Sequence, residues 1–369
     1  MKHLDEYRDG AVALRLIDDI RRLASRRWSI MEVCGGQTHS LLRYGIEAAL
    51  DGVVELIHGP GCPVCVTPVE AIDFAQDLAL RDGVQVASFG DMLRVPGSRR
   101  SLLDVRAAGG RVKAVYSPLD AVELARRDSS THTVFFAVGF ETTAPATALA
   151  VLQAARLELS NFSLLVAHVR VQPAMEAIMN AEDCRVEGFL AAGHVCTVVG
   201  YESYEAFVDN YRVPVVVTGF EPLDLLMGIR ACVRQLDDGR PALENCYQRS
   251  ARSEGNAIAR DIVQQVYEPC NRPWRGFGVL SSGGLALRPE WSQFDAGQRF
   301  GAPQLSVIDN SDCRSGDVLS GRIKPPQCPS FGNGCTPERP LGAPMVSSEG
   351  ACAAYYRYRE IASSPVCNV

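Results

Sequence analysis

The first 27 residues carry apolar side chains at helical spacing. Ile17, Ile20 and Leu23 recur three residues apart with charged residues between them, which predicts an amphipathic helix. From residue 28 onward the pattern changes to short apolar runs that alternate with helical stretches such as residues 68–81. Alternation of this kind is typical of parallel sheets covered by helices.

Eight apolar runs have the length and composition of buried strands. They lie at residues 28–33, 53–57, 84–89, 112–116, 133–138, 163–168, 187–191 and 214–218. Two sets of four strands predict two similar Rossmann-like α/β domains, over residues 28–130 and 131–240. A short repeat supports this division, since Gly139-Phe140-Glu141 and Gly219-Phe220-Glu221 each follow a predicted strand and precede a predicted helix.

The chain changes character after residue 240. Residues 244–266 are predicted to be a helix, and the glycine-rich residues 276–287 a strand or loop. From Cys313 onward the sequence is dense in Pro, Gly and Cys and poor in periodic apolar residues, so it needs a covalent or metal staple to become ordered. We therefore predict a third, loop-rich domain over residues 241–369, against which the helix of residues 1–27 packs.

Composition excludes some classes of function. The 369 residues are 47% hydrophobic and 22% charged, as expected for a globular protein of two or three domains. The net charge of -6 and the absence of a basic stripe argue against nucleic-acid binding. No uncharged run reaches the ~18 residues of a membrane span, and the charged N-terminus lacks the apolar core of a signal peptide. A cytoplasmic location is expected.

The chain has thirteen cysteines. A reducing compartment disfavours structural disulfides, so clustered cysteines indicate metal or redox chemistry. Isolated cysteines are usually buried as small apolar side chains. That interpretation is expected for Cys184, Cys196, Cys232, Cys246 and Cys270, and Cys367 is expected to be a bystander near the terminus.

The first cysteine cluster combines two motifs. Cys34-Gly35-Gly36-Gln37-Thr38-His39 follows the first predicted strand, and Gly59-Pro60-Gly61-Cys62-Pro63-Val64-Cys65 follows the second. Ligands bind at the carboxyl ends of strands in open α/β sheets, so both motifs should lie at one rim. Helix N-termini are expected to lower the pKa values of these thiols and to favour the metal-binding thiolate.

Several interpretations of this cluster stay open. Cys62 and Cys65 alone would fit a simple redox pair or half of a zinc site. His39 could be a metal ligand, a proton donor or a core histidine with its hydrogen bonds satisfied. Neither glycine run matches GxGxxG or a Walker A motif, so nucleotide binding is weakly supported.

The second cysteine cluster lies in the loop-rich C-terminal segment. Its four members are separated by 14, 6 and 16 residues and are Cys313, Cys328, Cys335 and Cys352. Four thiolates are what a [4Fe–4S] cluster requires, one for each iron. Structural zinc uses the same number of ligands but more often shows paired Cys-x(2–4)-Cys spacing, so the spacing favours iron–sulfur over zinc.

Four motifs together resemble a known family. CGGQTH, GPGCPVC, GFETTAP and MVSSEGACAAYY, in this order, are similar to the hydrogenase-maturation family HypD over nearly the whole chain. The resemblance implies two α/β domains, a [4Fe–4S] domain, and a complex with the small protein HypC that holds iron while cyanide arrives from HypE. One departure is Pro344, where the family often has a cysteine.

The resemblance also implies roles for individual residues. Cys34, Cys62 and Cys65 match the essential central cysteines, and the four C-terminal cysteines match the cluster set. The implied function is a scaffold on which the Fe(CN)2(CO) unit of [NiFe]-hydrogenases is assembled. Iron is expected at the central cysteines, with redox roles for Cys62 and Cys65 and a supporting role for His39.

Two other functions stay open. A thiol–disulfide oxidoreductase that depends on its cluster would need only the Cys62/Cys65 pair. The additional Cys34 therefore favours the scaffold over this function. A zinc-stapled enzyme on a Rossmann-like fold would be colourless, whereas an iron–sulfur protein is brown. Whether the chain catalyses a reaction or only carries iron is not decided by these residues.

Overall fold

A computed structural model of the chain describes residues 5–302 and 312–358. Within these ranges the strands are β1 Trp28–Glu32, β2 Val54–His58, β3 Val84–Ser88, β4 Val112–Ala114, β5 His132–Gly139, β6 Phe162–His168, β7 Gly188–Ala192, β8 Val215–Thr218, β9 Leu243–Asn245, β10 Tyr267–Trp274 and β11 Gly278–Leu287. All eight predicted strands are confirmed, β11 lies where a strand or loop was predicted, and β9 and β10 are added to them.

The α-helices of the described residues are α1 Gly10–Leu23, α2 Gly35–Arg43, α3 Ile46–Ala49, α4 Pro63–Val66, α5 Val69–Leu80, α6 Gly90–Arg94, α7 Leu102–Ala107, α8 Pro118–Arg127, α9 Ala144–Arg156, α10 Val171–Met179, α11 Gly193–Val199, α12 Tyr204–Tyr211, α13 Pro222–Asp237, α14 Ala257–Val266, α15 Ala296–Phe300, α16 Ser315–Leu319, α17 Ala343–Val346 and α18 Ala351–Tyr358. Short 3-10 turns lie at Asp5–Tyr7, Pro289–Phe294 and Pro325–Gln327. Across the described ranges, no helix combines the length and the apolar character needed to cross a membrane.

Two parallel sheets form the body of the molecule. The first has the strand order β2-β1-β7-β8-β9 and the second the order β4-β3-β5-β6, with every pair parallel. The central strands β7 and β8 are buried along their whole length, because helices cover both faces of such a sheet. The fold is therefore α/β with parallel-sheet domains, as the alternation of apolar runs predicted.

The expected grouping of the strands into the first four and the second four is wrong. The chain builds β1 and β2, leaves to form all of the second sheet, and returns at β7 to complete the first. Strand β7 then pairs with β1, where Ile30 lies opposite Gly188 and Glu32 opposite Leu190. Each sheet thus contains strands from both of the segments 28–130 and 131–240.

Helix α1 packs elsewhere than expected. Its buried residues Ala13, Ile17 and Ile20 share an apolar cluster with Ile229 and Leu225 of α13. Helix α13 covers the first sheet and belongs to the segment 131–240, so residues 1–27 pack mainly on that segment. From residues 241–369, Arg249 lies over the Tyr7 ring at 3.9 Å. The apolar stripe of α1 is buried against an apolar face of α13 that is distant from it in the sequence.

The helix expected over residues 244–266 is shorter in the structure. Its first residues form the edge strand β9, and the helix begins only at Ala257, after Gly255 with φ +69°. The side chain of Asn256 accepts a hydrogen bond from the Ala259 N–H at 3.1 Å, which caps the helix N-terminus.

The C-terminal segment 312–358 consists of loops and the short helices α16, α17 and α18. It contacts the loops of both sheets. Arg94, after β3, donates a hydrogen bond to the Val346 carbonyl at 3.0 Å, and Tyr355 donates to Glu47, which follows β1 and α2. The segment therefore spans the two sheets rather than forming a separate layer.

Candidate functional site

Four loops meet at the carboxyl edge of the first sheet. They follow β1, β2, β7 and β8, which are parallel, so all four leave the sheet at the same edge. The loops carry Cys34, Cys62 with Cys65, His194 and Phe220 respectively. The rim predicted from the two cysteine motifs is therefore present, and two further loops contribute to it.

The first two loops touch through their backbones. The Gly35 N–H donates to the Gly61 carbonyl at 3.1 Å, and a Cβ on Gly61 would lie 2.3 Å from the Cys34 Cα. Only glycine allows this approach. Gly35 is similarly constrained, since a Cβ there would lie 2.2 Å from the Glu349 carbonyl oxygen. The glycines of both motifs thus bring Cys34 next to the Cys62 loop and next to the C-terminal segment.

Cys62 and Cys65 form a disulfide, with their Cα atoms 5.3 Å apart. Both are buried, and the short helix α4 begins between them at Pro63. The Cys65 N–H also donates to Cys62 Sγ at 3.2 Å. The spacing therefore places the pair close enough for a disulfide, and in this state neither sulfur is a free thiolate.

The expectation of a low pKa at Cys34 is wrong. Burial raises the pKa of this thiol to about 12. Backbone hydrogen bonds from Gln37 and Gly36 at the start of α2 act in the opposite direction, but they are outweighed, and the charges of Glu32 and Glu349 raise the pKa further. Desolvation of the thiolate in this position exceeds the effect of the helix N-terminus.

His194 is a site residue that sequence reasoning missed. Its Nδ1 atom lies 3.8 Å from Cys34 Sγ, and its ring packs on Phe220 with a centroid separation of 5.3 Å. Burial lowers the pKa of His194 to about 4, so the imidazole is neutral near pH 7. A signal was available in the sequence, because Ala192-Gly193-His194 follows a predicted strand just as Cys34-Gly35-Gly36 does.

A buried charged network lies directly behind Cys34. Glu32 accepts a hydrogen bond from the Cys34 N–H at 2.8 Å and another from the Thr38 hydroxyl. Its other neighbour is His58, whose Nδ1 lies 2.8 Å from Glu32 Oε1. His58 Nε2 lies 3.6 Å from Glu47 Oε2, an ion-pair distance. The backbone position of Cys34 is therefore fixed by a carboxylate that is itself paired.

The network continues into the C-terminal segment. Glu47 also pairs with Lys324, and the Tyr355 hydroxyl lies 2.7 Å and 2.8 Å from its two oxygens. Burial alone would lower the pKa of His58, but hydrogen bonding and charge from Glu32 and Glu47 raise it to about 9. Burial would raise the pKa of Glu47, but His58 and Lys324 lower it to about 2. His58 is therefore a cation at neutral pH.

His39 lies one helical turn along α2 and is half-buried. Its Nε2 atom is 2.8 Å from the Tyr358 hydroxyl, and the two rings are perpendicular. Burial lowers the pKa of His39, as do the charges of Arg357 and Arg43. Through this contact with Tyr358, His39 links α2 to α18. Within the described residues His39 forms no hydrogen bond with any of the three central cysteines.

The C-terminal cysteines converge on one cavity. Its lining includes all four of the predicted cluster ligands, Cys313, Cys328, Cys335 and Cys352, together with apolar residues such as Leu341 and Pro344. Burial raises the pKa of Cys352, and the other three sulfurs raise it further. A Cβ on Gly342 would lie 2.3 Å from Cys313 Sγ, so the backbone closes tightly around the thiols.

The four thiols have the number and the chemistry of the donor set that a [4Fe–4S] cluster requires. No group of three or more His, Cys, Asp or Glu side chains in residues 5–302 and 312–358 is arranged to hold one metal ion. A cubane needs a different arrangement, because each of its four thiolates binds a separate iron at a separate corner. In this structure one cavity is lined by four thiols, one for each iron of such a cluster.

Two of the five isolated cysteines follow the expectation of burial. Cys196 and Cys232 are fully buried among apolar side chains, as predicted. Cys184, Cys246 and Cys270 are only partly buried, although Cys184 and Cys246 pack against the apolar clusters. Cys367 lies outside the described residues.

Comparison with known proteins identifies the family. A family model described as "HypD: Hydrogenase formation hypA family" matches residues 11–359. The "Hydrogenase maturation factor HypD" of Rhodobacter capsulatus is 45% identical over 372 residues, covering 97% of this chain and 98% of the relative. The factor of the same name from Azotobacter vinelandii is 46% identical and covers 97% of each chain. That of Escherichia coli K12 is 42% identical and covers 98% of this chain and 99% of the relative. The chain therefore belongs to the HypD family of hydrogenase maturation factors.

Proposed function

We propose that the chain is the scaffold on which the Fe(CN)2(CO) unit of [NiFe]-hydrogenases is assembled, with the iron held at Cys34. The observation that carries this proposal is the rim itself. Cys34 lies at the carboxyl edge of the first sheet beside the Cys62–Cys65 pair and a neutral imidazole. Soft thiolates suit low-spin iron with strong-field ligands.

The three central cysteines leave the iron site incomplete. Cys62 and Cys65 are bonded to each other in this state, so Cys34 is the free thiol among them. A site with few ligands from one chain leaves positions for incoming cyanide and carbon monoxide, as catalytic metal sites do. A small partner of the HypC type would supply a further thiolate, and a HypE-type protein would supply cyanide.

The four C-terminal cysteines would hold a [4Fe–4S] cluster, which supplies one-electron transfer when it is bound. Their convergence on one cavity supports this assignment. Cys62 and Cys65 can exchange two electrons by switching between disulfide and dithiol. Cys34 would bind iron as the thiolate, after its buried thiol has lost a proton.

A second candidate function is a thiol–disulfide oxidoreductase. The Cys62–Cys65 disulfide favours this function, because a Cys-x-x-Cys pair that forms a disulfide can exchange two electrons. That function needs no third thiol, however, and leaves the glycine-enforced approach of the Cys34 backbone unexplained.

Complementation of a host that lacks its own HypD separates the two functions. The wild-type chain should restore [NiFe]-hydrogenase activity, and Cys34→Ala should fail to restore it while accumulating as folded protein. Cys232→Ala, at a cysteine of α13 that is buried against β7, is the matched control and should restore activity. Full activity with Cys34→Ala would refute the scaffold at Cys34.

A further inference from the structure

The C-terminal segment contributes two side chains to the buried charged network. Lys324 lies four residues before Cys328, and Tyr355 lies three residues after Cys352. Lys324 forms an ion pair with Glu47, and the Tyr355 hydroxyl lies 2.7 Å and 2.8 Å from the two Glu47 oxygens. Glu47 is therefore held by two side chains that each lie close in sequence to a predicted cluster ligand.

Glu47 connects this segment to Cys34 through two buried groups. His58 Nε2 lies 3.6 Å from Glu47 Oε2, and His58 Nδ1 lies 2.8 Å from Glu32 Oε1. Glu32 in turn accepts the hydrogen bond from the Cys34 N–H at 2.8 Å. Because Glu32 and His58 are buried, loss of one charged partner leaves another without compensation, which is costly. A displacement of Glu47 is therefore expected to reach Cys34.

The C-terminal segment also packs directly on α2, which begins immediately after Cys34. A Cβ on Gly35 would lie 2.2 Å from the Glu349 carbonyl oxygen, and the Tyr358 hydroxyl lies 2.8 Å from His39 Nε2. Loops and short helices that carry metal-binding cysteines gain order when the metal group binds, because metal binding and folding are coupled. The order of this segment and the position of Cys34 are therefore linked.

We infer that Lys324 and Tyr355 are positioning residues, which couple the order of the C-terminal segment to the position of the Cys34 thiol. The inference rests on the proposed function, because it concerns the thiol at which the iron is held there. When the segment is ordered around its cluster, both side chains hold Glu47, and the network fixes Cys34 at the rim. When the segment loses that order, Glu47 is released and Cys34 gains freedom. The thiol is thus in position for iron only in a chain that already carries its cluster.

The rate at which iodoacetamide alkylates Cys34, divided by its rate at Cys232, measures this positioning. Both thiols are buried, and Cys232 lies in α13, outside the network. A general loosening of the fold raises both rates and leaves their ratio unchanged, whereas release of the network raises the rate at Cys34 alone. The full chain with its reconstituted cluster is alkylated anaerobically, and each site is quantified by mass spectrometry.

A pair of double variants tests the two side chains. Tyr355→Phe with Lys324→Met removes both contacts to Glu47, should still hold about four irons, and should raise the ratio roughly fivefold or more. Tyr116→Phe with Lys324→Arg is the matched control, because it removes a hydroxyl at an exposed residue and keeps the cation. This control should have the wild-type ratio.

Removal of the cluster from the wild type with an iron chelator tests the coupling itself and should raise the same ratio. Equal ratios in the two double variants would overturn the inference, and so would a wild-type ratio that does not change when the cluster is removed. Infrared spectra of the complex with the partner separate this inference from the proposed function. Cyanide and carbonyl bands that are lost in Cys34→Ala, together with equal alkylation ratios in the two double variants, would leave the scaffold standing and remove the positioning role of Lys324 and Tyr355.

Discussion

Replacement of His58 by glutamine tests the buried network behind Cys34. His58 and Glu32 are almost completely buried, and the variant leaves Glu32 and Glu47 without their shared cation. The pKa of His58 rises from 6.5 to about 9 on folding. A shift of about 2.5 units corresponds to roughly 3 kcal/mol of stabilisation at 1.36 kcal/mol per unit.

The sign of the pH dependence follows from the direction of the shift. A group whose pKa is raised in the folded state stabilises fully below its unfolded pKa, near 6.5, and this stabilisation is lost as pH rises through about 9. Glu47 does not contribute in this range, because its lowered pKa of about 2 acts only in acid. The stability advantage of the wild type over His58→Gln should therefore be larger at pH 6.5 than above pH 9 by roughly 3 kcal/mol.

Urea unfolding followed by tryptophan fluorescence, at several pH values from 6.5 to 9, measures this difference. The difference in free energy of unfolding between wild type and variant cancels the contributions of groups that titrate in both proteins, such as the buried thiols. His132→Gln is the control, because burial lowers the pKa of His132 to about 4 and its effect lies below pH 6.5. A wild-type advantage that stays constant from pH 6.5 to 9 would refute a charged His58.

Three further outcomes are expected. Tyr355→Phe removes the hydroxyl that contacts both Glu47 oxygens and should lower the free energy of unfolding by about 1.5–3 kcal/mol. Tyr116→Phe, at a fully exposed residue, is the control and should leave the free energy of unfolding unchanged. Equal stabilities of Tyr355→Phe and the wild type would contradict the contact. Anaerobic metal and sulfide analysis should give about four irons and four sulfides per chain. Cys335→Ala should lose both, and Cys270→Ala should keep them. One zinc per chain without sulfide would refute the [4Fe–4S] cluster. Thiol labelling should show Cys62 and Cys65 becoming reactive together on reduction, and unchanged reactivity of the pair rules out the switch.

The strands were predictable because each is a short apolar run between polar segments. Their partners were not, since a run such as residues 187–191 looks the same whether its neighbour is β1 or β6. The pairing of β7 with β1 joins strands more than 150 positions apart in the sequence, and periodicity carries no information about such contacts. The packing of α1 against α13 was missed for the same reason.

The candidate site was predictable where residues are close in sequence. Cys62 and Cys65 were placed correctly because a two-residue spacer limits their separation, and the Cys34 rim followed from the rule for parallel strands. His194 was missed because a lone histidine is usually a core residue, and its link to Cys34 exists only through the β1–β7 pair. The low thiol pKa was predicted wrongly because burial depends on tertiary packing, which the helix N-terminus alone does not reveal.

The central claim is that iron carrying cyanide and carbon monoxide is held at Cys34. Infrared spectroscopy of the complex purified anaerobically with its small partner measures this most directly. The wild-type complex should show cyanide and carbonyl stretching bands, and Cys34→Ala should lose them while keeping its C-terminal cluster and its fold. Bands of wild-type intensity in Cys34→Ala would contradict the account and move the iron to Cys62 and Cys65.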